Sequence, residues 1–104
     1  MYSILITVPA RSDIKAAVSY VAQFLHNKIA ADSLISMLTK EIKSLEAMPE
    51  RYPLVNDSYL ASLGIRSLMV KNYTVFYIVH KENNTIEIVR VLYSKRNWQY
   101  LLQK

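Results

Sequence analysis

From Ile65 to Ser94 the chain lays down three β-rich runs with almost nothing between them. Ile65 to Lys71 is followed by the short break Asn72-Tyr73. Thr74 to Lys81 is followed by the tight turn Glu82-Asn83-Asn84, and Thr85 to Ser94 completes the set. Links this short imply a meander of antiparallel strands. The middle run holds Val75, Phe76, Tyr77, Ile78 and Val79, apolar at both parities. That pattern predicts a strand covered on both sides at least in part.

The segment ahead of the meander supplies the cover. Tyr2 to Val8 is a β-rich run ended by Pro9, a residue tolerated at the start of a helix. Ile14, Val18, Val21 and Leu25 then recur at steps of four, three and four, with Arg11, Lys15, Ser19 and Gln23 on the opposite face. His26-Asn27-Lys28 is a polar break. Leu34, Leu38, Ile42, Leu45 and Met48 form a second helical stripe, which Pro49 stops. Two helices so close in sequence should form an antiparallel hairpin. Glu50 to Leu63 reads as irregular, with Pro53 and Asn56-Asp57-Ser58 as turn signals. Lys95 to Leu102 is expected to be a short terminal helix or tail. The order is β-α-α-β-β-β(-α): an α+β fold in one domain spanning 1–104, its helical hairpin buried against an antiparallel meander sheet.

The net charge of +5 is unevenly spread. Residues 1–63 hold six basic and six acidic groups, whereas residues 64–104 hold seven basic groups against Glu82 and Glu87. A basic half of this kind suggests a polyanionic partner. An apolar fraction of 52% is that of a globular chain. The absence of cysteine excludes disulfides and thiolate metal sites. No apolar run approaches the roughly 18 residues of a membrane span. Met1 to Pro9 lacks the basic flank and cleavage site of a signal peptide. The expectation is a cytoplasmic protein with no membrane partner.

Two stretches resemble a known family. Gly64-Ile65-Arg66-Ser67-Leu68-Met69-Val70-Lys71-Asn72-Tyr73-Thr74-Val75-Phe76-Tyr77 resembles the central strands of RelE/ParE toxins, with an arginine, a short turn and an aromatic-rich strand ending in Phe-Tyr. Ile86-Glu87-Ile88-Val89-Arg90-Val91-Leu92-Tyr93-Ser94-Lys95-Arg96-Asn97-Trp98 resembles their last strand and basic tail. The resemblance covers nearly the whole chain. It implies a RelE/ParE-like (microbial-RNase-like) fold, the toxin role in a type II toxin–antitoxin (plasmid stabilisation) system, and a cognate antitoxin. Relatives follow two mechanisms. RelE-like members cleave mRNA in the ribosomal A site without a metal, and ParE-like members poison DNA gyrase and are not nucleases.

Metal-free RNA cleavage needs a proton acceptor for the 2′-hydroxyl, cationic support for the crowded phosphate and a proton donor for the leaving oxygen. Arginine suits the phosphate because its planar fork donates paired hydrogen bonds. Arg66 and Arg90 are the candidates, each set in an apolar strand. Their parity is awkward: Arg66 shares it with Leu68 and Val70, and Arg90 with Ile88 and Leu92. Either a bulge turns them out or that face is partly an open cleft. Tyr93 matches the tail position where relatives carry His or Tyr. It is the candidate for proton transfer if nearby arginines lower its pKa, or for stacking on a base. Lys71, Lys95 and Arg96 are candidate phosphate or RNA contacts. Tyr77 reads as core, and Trp98 and Tyr100 as packing anchors of the tail. No metal or cofactor is expected.

The preferred expectation is a ribosome-dependent mRNA interferase with Arg66, Arg90 and Tyr93 at its catalytic centre. The alternative is a ParE-like gyrase inhibitor without nuclease activity. Two departures favour the alternative. Thr74 stands where RelE-like nucleases often carry a second arginine, and no lysine cluster precedes the central strands.

Overall fold

In the computed structural model, which describes residues 1–102, β1 (Ser3–Ile6) leads into α1 (Val8–Ser19). A π-helical turn (Tyr20–Phe24) extends α1, and α2 (Lys28–Ser44) returns beside it. A short α3 (Ser58–Ser62) precedes β2 (Ile65–Val70), β3 (Tyr73–His80) and β4 (Thr85–Tyr93), and α4 (Trp98–Leu102) closes the described chain. The sheet order is β1-β4-β3-β2. The three later strands form the expected antiparallel meander, and β1 joins β4 in parallel, which makes the sheet mixed.

Both helices of the hairpin start on side-chain caps. Thr7 Oγ accepts from the Ala10 N–H, with Pro9 in the first turn where no amide hydrogen is needed. Asn27 Oδ1 accepts from the Ala30 N–H. The hairpin buries Ala17, Leu34, Leu38, Ile42 and Leu45 against Leu68, Val70, Val75, Tyr77, Ile86, Ile88 and Val91 on one sheet face. The opposite face carries Ile65, Phe76 and Leu92, covered by Val55, Leu60, Trp98, Leu101 and Leu102 from α3, α4 and the segment before α3. β3 is therefore covered on both faces, as its apolar run requires.

Three local readings need correction. The wider π-helical turn, closed by Leu25 N–H to Tyr20 O at 3.1 Å, breaks the 3.6-residue phase, so Leu25 leaves the α1 stripe and lies exposed. α2 stops at Ser44, and the chain turns through Glu46 and Ala47, leaving Met48 exposed. The segment expected to be irregular contains α3, capped by Asp57 Oδ1 on the Leu60 N–H at 3.0 Å.

The parity problem of Arg90 is solved by a bulge. Phe76 pairs with Arg90 but Tyr77 pairs with Ile88, so Val89 is an extra residue in β4. Ile88 accordingly packs under the helices while Leu92 packs on the other face. Thr7 supports the bulge, its Oγ lying 2.9 Å from Ile88 O and 3.0 Å from Val89 O.

Candidate functional site

β1 ends at Ile6, so the far half of β4 has no strand on that side. Asp13 of α1 takes its place. Its carboxylate accepts from the Val91 backbone N–H at 3.0 Å and from Arg90 through two parallel bonds, Nε at 2.7 Å and Nη2 at 2.9 Å. The Asp13 side chain is 12% exposed and that of Arg90 24%. The Asp13 hydrogen bond, outweighing burial, pushes the Arg90 pKa further above its ordinary value. Arg90 is a fixed cation whose bidentate fork is already filled.

Arg66 lies on the helix-facing side of β2 with Leu68 and Val70, and no bulge turns it out. The segment after α2 crosses that end of the sheet. Arg66 Nη1 donates to Tyr52 O at 2.7 Å, and Nη2 lies 3.4 Å from Glu50, which Lys81 also approaches at 3.0 Å. The fully buried Tyr77 donates its hydroxyl to Pro49 O at 2.8 Å, pinning the same segment. Burial raises the Tyr77 pKa, an effect partly offset by the Arg66 cation.

Tyr93 lies elsewhere. It ends β4 opposite Tyr73, their rings edge-on at 5.9 Å between centroids. Arg66 pairs with Tyr77, four residues further along β3, or about 13 Å along the strand. The structure therefore does not bring Arg66, Arg90 and Tyr93 to one point.

It does bring the other three candidates to Tyr93. The Ser94 N–H donates to Asn72 O at 2.8 Å, and the Thr74 and Ser94 hydroxyls share a 2.8 Å bond. These contacts stitch the β2–β3 turn, with Lys71, to the chain leaving β4, with Lys95 and Arg96. All three cations are exposed, and among the described residues none forms an ion pair. Thr74, read as a departure, has a definite part in this scaffold.

Beside the cations lies a cleft that was not legible in the sequence. Tyr20, Val21 and Leu25 form one wall and Asn72, Tyr73 and Tyr93 the other, around a volume of about 520 Å³. A second lobe continues past Tyr93 to Arg96 and Asp13. Tyr20 stacks on the exposed Phe24 at 5.2 Å, with 14° between the planes. The π-helical turn, an irregularity common at functional sites, places Tyr20 on the cleft wall, with Phe24 stacked against it from outside. Burial first, then the neighbouring Tyr20 and Tyr93, pushes the Tyr73 pKa above the ordinary 10.0. Its phenol stays protonated near neutrality and can donate a hydrogen bond. The cleft can receive a flat ring, and Arg96 on its second lobe can meet an anion.

The description of ParE toxins of parDE type II toxin–antitoxin systems fits residues 4–98 of this sequence. The chain belongs to the ParE toxin family. This ParE-family chain shares its fold with the chromosomal ParDE toxin–antitoxin system from P. aeruginosa, at TM-score 0.74 and 17% identity over 91% of this chain and 98% of that one. The RelBE2 toxin–antitoxin complex from Mycobacterium tuberculosis is similar at TM-score 0.51 and 22% identity, covering 88% and 96%. Among curated protein sequences none shows a significant match. No helix among the described residues of this ParE toxin is long and apolar enough to cross a membrane.

Proposed function

We propose that this ParE-family toxin arrests growth by binding DNA gyrase and does not cleave mRNA. The observation that carries this reading is the internal use of both strand arginines. Arg90 is clamped by Asp13, and Arg66 by Tyr52 O and Glu50. Cleavage at a phosphate needs cations and proton carriers that converge within hydrogen-bond reach of one group. Here the tyrosine with the matching tail position meets Tyr73 edge-on, and Arg66 pairs about 13 Å further along the sheet. Thr74, bonded to Ser94, points the same way. What is left uncommitted is a surface: the exposed end of the sheet with Lys71, Tyr93, Lys95 and Arg96. Such a surface recognises a partner by charge and aromatic contact.

The same reading gives the toxin a cognate antitoxin. Its toxin-binding segment should be helical or extended and partly acidic, to meet the basic half of the chain.

Plasmid supercoiling by gyrase in the presence of purified, folded toxin tests the proposal. Supercoiling is expected to fall with added toxin and to recover when the antitoxin is supplied. Unimpaired supercoiling at a large molar excess of folded toxin overturns it.

A further inference from the structure

We infer that the tyrosine cleft is a binding site for a purine nucleotide carrying two or more phosphates. This goes beyond the target of the toxin and adds a small-molecule ligand. Volume gives the first argument. A cleft of about 520 Å³ lies within the range of roughly 300–1,000 Å³ typical of small-molecule sites. It suits one base with its sugar better than a run of nucleotides.

The lining gives the second argument. Tyr20 faces the cleft from the helical side, and Tyr73 and Tyr93 from the sheet side. A flat heteroaromatic ring between them gains stacking against tyrosine faces. Asn72, on the same wall, carries both an amide donor and a carbonyl acceptor, the pair that reads a purine edge. The Tyr73 phenol, held protonated, is a further donor.

The rim gives the third. Arg96 lines the second lobe, Lys71 precedes the lining residue Asn72 in the β2–β3 turn, and Lys95 lies two residues beyond Tyr93. All three are exposed and without ion-pair partners among the described residues. Asp13 is the carboxylate on the second lobe, and Arg90 already neutralises it. One cation on the second lobe, with two more flanking the lining residues in the chain, matches a polyphosphate attached to a base. An apolar peptide side chain would use the slot and leave the cations idle.

The test is a titration of the full chain, free of antitoxin, with ADP, GDP and adenosine, followed by backbone amide NMR shifts and calorimetry. ADP or GDP is expected to shift the amides of the π-helical turn, of Asn72 and Tyr73, and of Tyr93 to Arg96. Adenosine should bind more weakly by roughly tenfold or more. Tyr93→Ala should weaken binding by roughly ten- to a hundredfold. Lys71→Asn keeps a residue type that tolerates the positive φ of 56° at that turn and removes only the charge. It should reduce diphosphate affinity while leaving adenosine unchanged. Unchanged amide shifts with millimolar ADP and GDP overturn the inference, as does affinity that survives both substitutions. An oligonucleotide that binds more tightly with each added nucleotide through the same residues also overturns it, in favour of a strand-binding groove. Binding is read on the isolated toxin, so its failure leaves the gyrase proposal standing.

Discussion

Replacing Asp13 by alanine removes three acceptor contacts at once. Arg90 loses both arms of its fork, at 2.7 and 2.9 Å, and the Val91 N–H loses its 3.0 Å partner at a place where no neighbouring strand can replace it. Stranding one member of a buried ion pair costs roughly 3–5 kcal/mol. Arg90 keeps 24% of its side-chain surface in water, which reduces the loss to about 2–3 kcal/mol for Asp13→Ala. Arg90→Ala should cost less, because Asp13 keeps the Val91 bond. The coupling energy in the double-mutant cycle should be roughly 1–2 kcal/mol. Urea unfolding followed by circular dichroism reads all four proteins. With a slope of about 1–3 kcal/mol per molar for a small domain, the Asp13→Ala midpoint should fall by roughly 0.7–3 M. Single losses below about 0.5 kcal/mol with no coupling would place the pair among ordinary surface ion pairs. Arg90 would then be free to serve another role, and the internal-use argument would fail.

Tyr77→Phe should cost about 1 kcal/mol at neutral pH through loss of the bond to Pro49 O. Its pH signature is separate. The folded-state pKa of Tyr77 is raised, so its contribution to stability is intact below about pH 10 and is lost as pH rises through the folded value. Unfolding free energy measured from about pH 9 upward should decline more steeply for the parent chain than for Tyr77→Phe, and equal slopes would count against the burial argument. Gly64→Ala should lose about 1 kcal/mol. The cause is the backbone φ of +85°, since an added Cβ would meet only Ile78 Cγ2 at an ordinary 3.8 Å; thermal melts showing no change would refute it. Arg66→Ala should lower stability and free the segment after α2, visible as faster amide exchange around Tyr52, while the folded fraction stays toxic. Loss of toxicity in a variant that remains fully folded would assign Arg66 a role in the attack on the target.

The elements that a local pattern can encode were legible in the sequence. The meander followed from two breaks, Asn72-Tyr73 and Glu82-Asn83-Asn84, and the two-sided burial of β3 from its unbroken apolar run. The helical stripes located α1 and α2, although the π-helical turn moved Leu25 outward. What was not legible depends on contacts between distant parts of the chain. The Val89 bulge is held by Thr7, and the partner of Arg90 is Asp13, 77 residues away. α3 has five residues, too few to display a stripe. The cleft joins Tyr20 from a helix with Tyr73 and Tyr93 from two strands, and each of these reads singly as ordinary packing. Among the site candidates, the structure gathers Lys71, Tyr93, Lys95 and Arg96 at one end of the sheet and ties Arg66 and Arg90 into the scaffold.

The choice between a binding toxin and a nuclease is tested most directly by primer extension on mRNA held in programmed ribosomes, with purified folded toxin added and no antitoxin present. The expected result is full-length message at every toxin concentration that blocks gyrase. Cuts in the ribosomal A site that vanish with Arg66→Ala or Arg90→Ala would contradict it, and would mean that one of these arginines leaves its internal partner to meet a phosphate.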